Sequence, residues 1–179
     1  MITPKMRENA HKFVFLMEQY PEHNVNQLIG LLEMPAVEMN NAIWTAIELG
    51  FITKPDPETK YATIKEKPKK WEFGDKVEEL KAQIQYAFEQ LTKDETDLEE
   101  NYLSQWTQGY TGTDVMIATK LLLNSRVLAS YDLEDGENVY TFFTLYKNRD
   151  KLWGKKQFKK EPVTAEKAEE PEAPTAPAE

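Results

Sequence analysis

Over the first 65 positions, apolar residues recur mostly with the spacing of helices. Ala10, Phe13, Val14, Met17 and Tyr20 fall three and four apart, and Phe15 and Leu16 widen the stripe, which predicts a helix from Pro4 to about Gln19 or Tyr20. Thr3 is placed to cap it, Pro4 suits its first turn and Pro21 stops it. Lys5, Arg7, Glu8, Lys12 and Glu18 fall mostly off the stripe. A second helix is expected from Val25 to about Glu33, with Asn24 as N-cap and Val25, Leu28, Ile29 and Leu32 inward. Met34-Pro35 breaks the chain before a third helix that runs to Leu49 and carries Met39, Ala42, Ile43, Ala46 and Ile47. Gly50 stands where a left-handed C-terminal residue belongs. Phe51-Ile52 and the alternating Tyr61-Ala62-Thr63-Ile64 flank a Pro55-Asp56-Pro57 turn, the pattern of a hairpin.

After a charged stretch, Lys65 to Lys70, in which Pro68 blocks helix, Trp71 and Phe73 are expected to pack as anchors. The same order then recurs. Asp75 caps a helix with Val77, Leu80, Ile84, Ala87, Phe88 and Leu91 on its stripe. A further helix is expected over about Glu95–Thr107, with Leu98, Tyr102, Leu103 and Trp106 inward. Gln108–Gly112 turns the chain into a last helix that buries Val115, Met116, Ala118, Leu121 and Leu122. Val127–Tyr131 and Val139–Tyr146 then pair around a turn from Asp132 to Asn138 that holds Asp135-Gly136. Residues 37–64 and 113–145 thus read as two copies of one unit: helix, break, strand, turn, strand.

That unit resembles the recognition helix and wing of a winged-helix domain, and the chain over about residues 3–147 resembles tandem winged-helix proteins. The resemblance implies an α+β, mainly helical fold. The expected division is a first winged-helix domain (1–66), a linker (67–74), a second winged-helix domain (75–147), a basic aromatic segment (148–160) and a disordered acidic Pro/Ala/Glu tail (161–179). Tandem winged-helix proteins include DNA-binding regulators of transcription or replication. They also include acidic protein-interaction platforms, such as the kleisin-associated subunits of bacterial condensins and the ESCRT-II subunits.

Charge divides the chain unevenly. The net charge is −9, yet Lys147–Lys160 holds Lys147, Arg149, Lys151, Lys155, Lys156, Lys159 and Lys160 against Asp150 alone. The tail from Glu161 holds six Glu against Lys167, which leaves the first 146 residues at −10. Such a body argues against indiscriminate phosphate binding, whose contacts need local positive charge. With no Cys there is neither a disulfide nor a thiolate site, and His11 and His23 have no metal-binding spacing. No metal or cofactor is expected. No run spans a bilayer and the N-terminus has no apolar leader, so an intracellular, cytoplasmic protein without a membrane partner is expected.

Catalytic motifs are missing from the sequence: no Gly-rich phosphate loop, GxSxG or HExxH. The clusters Glu78-Glu79, Asp94-Glu95 and Asp97-Glu99-Glu100 read as solvated helix faces or helix N-termini rather than acid–base pairs. His11 reads as a packing residue and His23 as a turn residue. The chain is therefore expected not to be an enzyme.

Binding has more candidates. On the third helix, Glu38, Asn40, Asn41, Trp44, Thr45 and Glu48 are the outward positions, although Trp44 at helical spacing is expected to turn inward; outward, it would anchor a protein partner. On the last helix the outward set is Asp114, Thr119, Lys120 and Asn124, followed by Arg126. Lys54, Lys60 and Lys65 lie on or beside the first wing, followed by Lys67, Lys69 and Lys70. They form either a positive strip or a guard against edge-strand pairing. From Tyr146 to Lys160, aromatic Tyr146, Trp153 and Phe158 alternate with seven cations, a composition that holds phosphates and stacks on exposed bases. The same segment could instead pack on the body or be neutralised by the acidic tail. The expected nucleic-acid contacts are Lys54, Lys60, Lys120, Asn124, Arg126, Lys147, Arg149, Lys151, Trp153, Lys155, Lys156, Phe158, Lys159 and Lys160. DNA, duplex or single-stranded, is the expected partner of a non-enzymatic regulator. The alternative is a protein–protein adaptor or assembly subunit that uses the acidic body or tail.

Overall fold

The structure, a computed structural model, describes residues 1–91, 98–99 and 107–151. It is α+β. Chain contacts divide it into unit 1, Met1–Glu78 with Thr111–Ile117, and unit 2, Glu79–Tyr110 with Ala118–Glu179.

Unit 1 is built around α1 (Pro4–Gln19). Thr3 Oγ1 accepts the Met6 N–H and Pro4 opens the first turn, as expected. Every residue from Asn9 to Met17 is buried, so α1 has no solvent face along its middle. α2 (Val25–Leu31) starts at a capping box: Asn24 accepts from Gln27 N–H and the Gln27 side chain accepts from Asn24 N–H. α3 (Ala36–Glu48) begins directly after Pro35. Ala10, Phe13, Val14, Leu16 and Met17 of α1 form one apolar cluster with Val25, Leu28, Leu32, Ala42, Ala46 and Ile52.

α3 ends in a Schellman turn. Phe51 N–H reaches Ala46 C=O at 2.9 Å and Gly50 N–H reaches Ile47 C=O at 3.0 Å, with Gly50 at φ +81°. The hairpin after it is weaker than expected. Its regular pairing is the single Ile52–Ile64 bridge, supported by Thr53 N–H to Thr63 C=O and Lys65 N–H to Phe51 C=O. Asp56 organises its turn by accepting the N–H groups of Glu58 and Thr59, and these bonds hold its carboxyl below the usual carboxylate range.

Beyond the hairpin, Trp71 and Phe73 pack as anchors: Phe15 meets both rings edge-on at 5.4 and 5.3 Å. His11, 2% exposed, meets Phe51 and Trp71 edge-on and accepts the Glu72 N–H on Nδ1 at 2.8 Å. Burial lowers its pKa, opposed by Glu72 and assisted by Arg7.

α4 (Asp75–Leu91) and α5 (Gly112–Asn124) each begin in unit 1 and continue in unit 2. The first turn of α5 is tied to unit 1 by side chains. Glu33 Oε1 accepts the Gly112 N–H at 2.8 Å, and the Glu33 N–H reaches Thr113 Oγ1 at 2.6 Å. A Cβ at position 112 would press on the Glu33 carboxylate, the movable end of its side chain, so a larger residue there would displace this contact. Lys12 Nζ meets Asp114 Oδ1 at 2.8 Å, with the two side chains 9% and 6% exposed. The off-stripe expectation for Lys12 is corrected here: an ion pair lets it lie on the buried surface. Asp114, expected outward, is its buried partner.

In unit 2 a three-stranded antiparallel sheet runs in the order β1 (Leu98–Glu99), β3 (Asn138–Leu145), β2 (Leu128–Asp135). Leu98 and Glu99 pair with Phe143 and Phe142, so the helix expected over Glu95–Thr107 does not form at these two positions. Their backbone instead supplies partners to the second edge of β3. Tyr102, Leu103 and Trp106 lie outside the described residues. The β2–β3 turn is also tighter than expected: Asp135 pairs with Asn138, leaving Gly136 and Glu137 as a two-residue loop with Gly136 at φ +66°. Asp132–Asp135 are therefore strand, not turn.

The polar groups of α1 set two expectations for stability. Asp114→Asn should cost about 3–5 kcal/mol because it strands the Lys12 ammonium, whereas Lys12→Met should cost less, since Asp114 keeps the dipole of the α5 N-terminus. Urea unfolding of the two variants with matched m-values checks the order; equal losses would refute it. The second concerns His11. Its folded pKa lies below the ordinary 6.5, so the unfolded chain binds more protons below about that pH. The fold therefore loses stability as pH falls through 6.5 towards the folded pKa, with little change above about pH 7.5. Between pH 7.5 and 5.0, above the range of Asp56, the urea midpoint of wild type should fall more than that of His11→Gln.

Candidate interaction surfaces

The outer face of α3 is apolar and acidic. Val37 is 70% and Trp44 46% exposed. They lie seven residues apart on one face, beside exposed Asn40, Asn41 and Glu48. Trp44 therefore points outward, against the inward expectation, and Thr45, expected outward, is fully buried. The two exchange because α3 turns Ala42, Thr45 and Ala46 inward, a face set at 100° steps that excludes position 44. Glu38 is half-buried and accepts from Asn9 Nδ2 at 3.1 Å. No Lys or Arg lies on this helix.

On α5 the expected outward set shrinks. Asp114 and Thr119 are buried, and Lys120 and Asn124 are half-buried one turn apart. The helix closes with the same Schellman turn as α3: Val127 N–H to Leu122 C=O at 2.9 Å and Arg126 N–H to Leu123 C=O at 3.1 Å. Arg126 sits at the left-handed position that Gly50 takes in the first copy, with φ +62°. A side chain there costs roughly 1–2 kcal/mol. What Arg126 gains is visible: its Nη1 donates to Tyr146 Oη at 2.8 Å and its guanidinium lies 5.5 Å from the Tyr146 ring centre. Arg149 lies over the same ring at 3.7 Å and donates to the Tyr146 carbonyl. The structure thus brings together Arg126, Tyr146 and Arg149, and spends two expected phosphate contacts and one expected base-stacking ring on one another.

Of the remaining expected contacts, Lys54 and Lys60 are exposed on the first hairpin, and Lys60 holds a left-handed turn position at φ +65°. Lys147 and Lys151 are exposed after the second hairpin. Trp153, Lys155, Lys156, Phe158, Lys159, Lys160 and the acidic tail lie outside the described residues.

The outer half of the β2–β3 hairpin does not stand out in the sequence as a binding surface. Leu133 pairs with Tyr140 and Glu134 with Val139, and the apolar Leu133, Tyr140 and Val139 are 44%, 38% and 59% exposed. Asp132, Glu134, Asp135 and Glu137 surround them, and no cation occurs from Val127 to Tyr146. The signal that could have found it is that absence of cations, combined with alternating apolar residues beyond the length a small core can cover.

Among the described residues, no group of three or more His, Cys, Asp or Glu could hold a metal ion, and no helix is long and apolar enough to cross a membrane. No protein-family model, curated protein or solved structure matches the chain.

Arg126 yields a direct test. Arg126→Ala keeps the left-handed backbone and loses the Tyr146 contacts, so it should be less stable than wild type. Arg126→Gly relieves the backbone and should recover about 1 kcal/mol relative to Ala. Urea titration of the three proteins reads this, and an Ala variant as stable as wild type would show that the guanidinium contributes nothing.

Proposed function

We propose that this chain is a non-enzymatic protein-interaction adaptor, built as two tandem winged-helix-like units. The observation that carries the reading is the outer face of α3. In a DNA-reading winged helix that face enters the groove and needs donors and positive charge. Here it offers Val37 and Trp44 to solvent beside Glu48, with no cation. Exposed Trp with surrounding polar residues is the composition of a protein-binding hot spot. The second hairpin, acidic and apolar where a DNA-binding wing would be basic, supports the same reading.

A second reading is a DNA-associated regulator. It is favoured by the exposed Lys54 and Lys60 on the first hairpin and by Lys147 and Lys151 after the second. In that case, affinity for DNA would fall steeply with salt and rest on these lysines.

One experiment separates them. A photo-crosslinking benzoylphenylalanine replaces Trp44 in the full chain, expressed in its native cells, with position 26, exposed on α2, as control. The adaptor reading expects a protease-sensitive, nuclease-resistant adduct at position 44 that position 26 does not give. A nuclease-sensitive adduct at 44, or salt-dependent binding of wild type to duplex DNA at about 50 mM salt that Lys54→Gln/Lys60→Gln weakens, would overturn it in favour of the regulator.

A further inference from the structure

We infer that the outer half of the β2–β3 hairpin is a docking surface for residues 152–160 of the same chain. Such docking rests on the chemistry of the hairpin and is independent of the adaptor reading.

The register places Ala129, Tyr131 and Leu133 of β2 on the same face as their partners Thr144, Phe142 and Tyr140. Ala129, Tyr131, Phe142 and Tyr146 form one apolar cluster at the base of that face. Leu133 and Tyr140 continue it outward into solvent, 44% and 38% exposed. The strip is therefore a half-covered apolar ladder. Asp135 continues the same face beyond Leu133 and Glu137 lies in the turn at its end, whereas Asp132 and Glu134 alternate onto the opposite face. An occupant needs apolar side chains for the ladder and positive charge towards its end.

The next stretch of the chain has that composition. It reads Leu152-Trp153-Gly154-Lys155-Lys156-Gln157-Phe158-Lys159-Lys160, three apolar residues and four lysines without an acid. The described chain also ends on the right side. Tyr146 N–H bonds Val127 C=O at the foot of the hairpin, and Arg149 folds onto the Tyr146 ring, itself a member of the face cluster. From the foot to Leu133 is about 20 Å at 3.3 Å per strand residue. Residues 152–160 can reach about 30 Å when extended. Apolar side chains can thus meet Leu133 and Tyr140 while the lysines meet the carboxylates of Asp135 and Glu137. A tethered segment also binds at the high effective concentration of a short linker, so a small apolar contact suffices.

Two other occupants fit less well. A second copy pairing edge to edge along β2 would set Asp132, Glu134 and Asp135 against their own kind. A nucleic-acid strand could stack on the aromatic rings, but its phosphates would face the same carboxylates.

The test uses the full chain at low concentration, as an equal mixture of unlabelled and nitrogen-15-labelled protein, treated with a zero-length carbodiimide that joins lysine amines to carboxylates. Mass mapping should find Lys155, Lys156, Lys159 and Lys160 joined to Asp135 or Glu137, each linkage within one isotopic chain. Leu133→Asp/Tyr140→Asp, which changes only exposed positions, should abolish these linkages and speed tryptic cleavage after Lys155 and Lys156 several-fold. Three results would overturn the proposal: linkages of mixed isotopic composition (a second copy is the occupant), lysines joined to carboxylates elsewhere and not to the hairpin, or linkages and cleavage rates indifferent to the double variant.

Discussion

Unit 1 depends on how the polar groups of α1 are satisfied. A helix buried all round for nine residues would ordinarily be wholly apolar. This one carries Asn9, His11 and Lys12 in its buried stretch. Each has a partner on a different segment: Glu38 of α3, the Glu72 backbone after the first hairpin, and Asp114 at the start of α5. Apolar burial is non-directional and would accept many placements of these segments. A buried ammonium accepts only an anion, and a buried imidazole nitrogen only a donor. The three partners therefore specify which segment lies where around α1, with a desolvation cost that plain hydrophobes would avoid. The Glu33 carboxylate adds a fourth tie, since it needs a bare backbone N–H and finds one at Gly112.

The two Schellman turns show how one geometry serves two sequences. Gly50 takes the left-handed position at no side-chain cost, and the chain goes on into a hairpin held by a single bridge. Arg126 takes the same position against its conformational preference, and the chain goes on into a hairpin of eight paired positions. The difference lies in the reach of the side chain. Arg126 extends forward to Tyr146, just past the end of β3, so the backbone strain at the start of the hairpin is offset by a contact that closes its far end. A glycine there would free the backbone and give up the guanidinium contact with the Tyr146 hydroxyl and ring.

Much of this fold was legible. The caps at Thr3 and Asn24, the third helix after Pro35, the C-terminal turn at Gly50 and the anchoring of Trp71 and Phe73 all arise from local chemistry, and they form as expected. What was not legible depends on partners distant in sequence. Lys12 reads as a surface residue until Asp114 is placed 102 positions away. Leu98-Glu99 looks helical in a periodic window until the open edge of β3 offers it a ladder. Trp44 and Thr45 exchange faces because 100° of helix rotation separates neighbours, and apolar spacing alone fixes the phase no better than that. Arg126 and Tyr146 were both visible as binding residues; that they bind each other was not.

The same exchange of roles bears on function. A basic residue counts toward phosphate binding only where its charge is still directed at solvent, and an apolar residue counts toward the core only where the fold covers it. Arg126 and Arg149 are turned onto a tyrosine ring, and Lys12 is consumed by a buried carboxylate. Trp44, Leu133, Val139 and Tyr140 move the other way, from expected core, turn or strand to exposed surface. Both shifts favour the proposed adaptor reading, since exposed apolar area is what a complementary chain would remove from water. On that reading, the acidic setting of those apolar residues would favour an arriving chain that brings hydrophobic side chains and positive charge together.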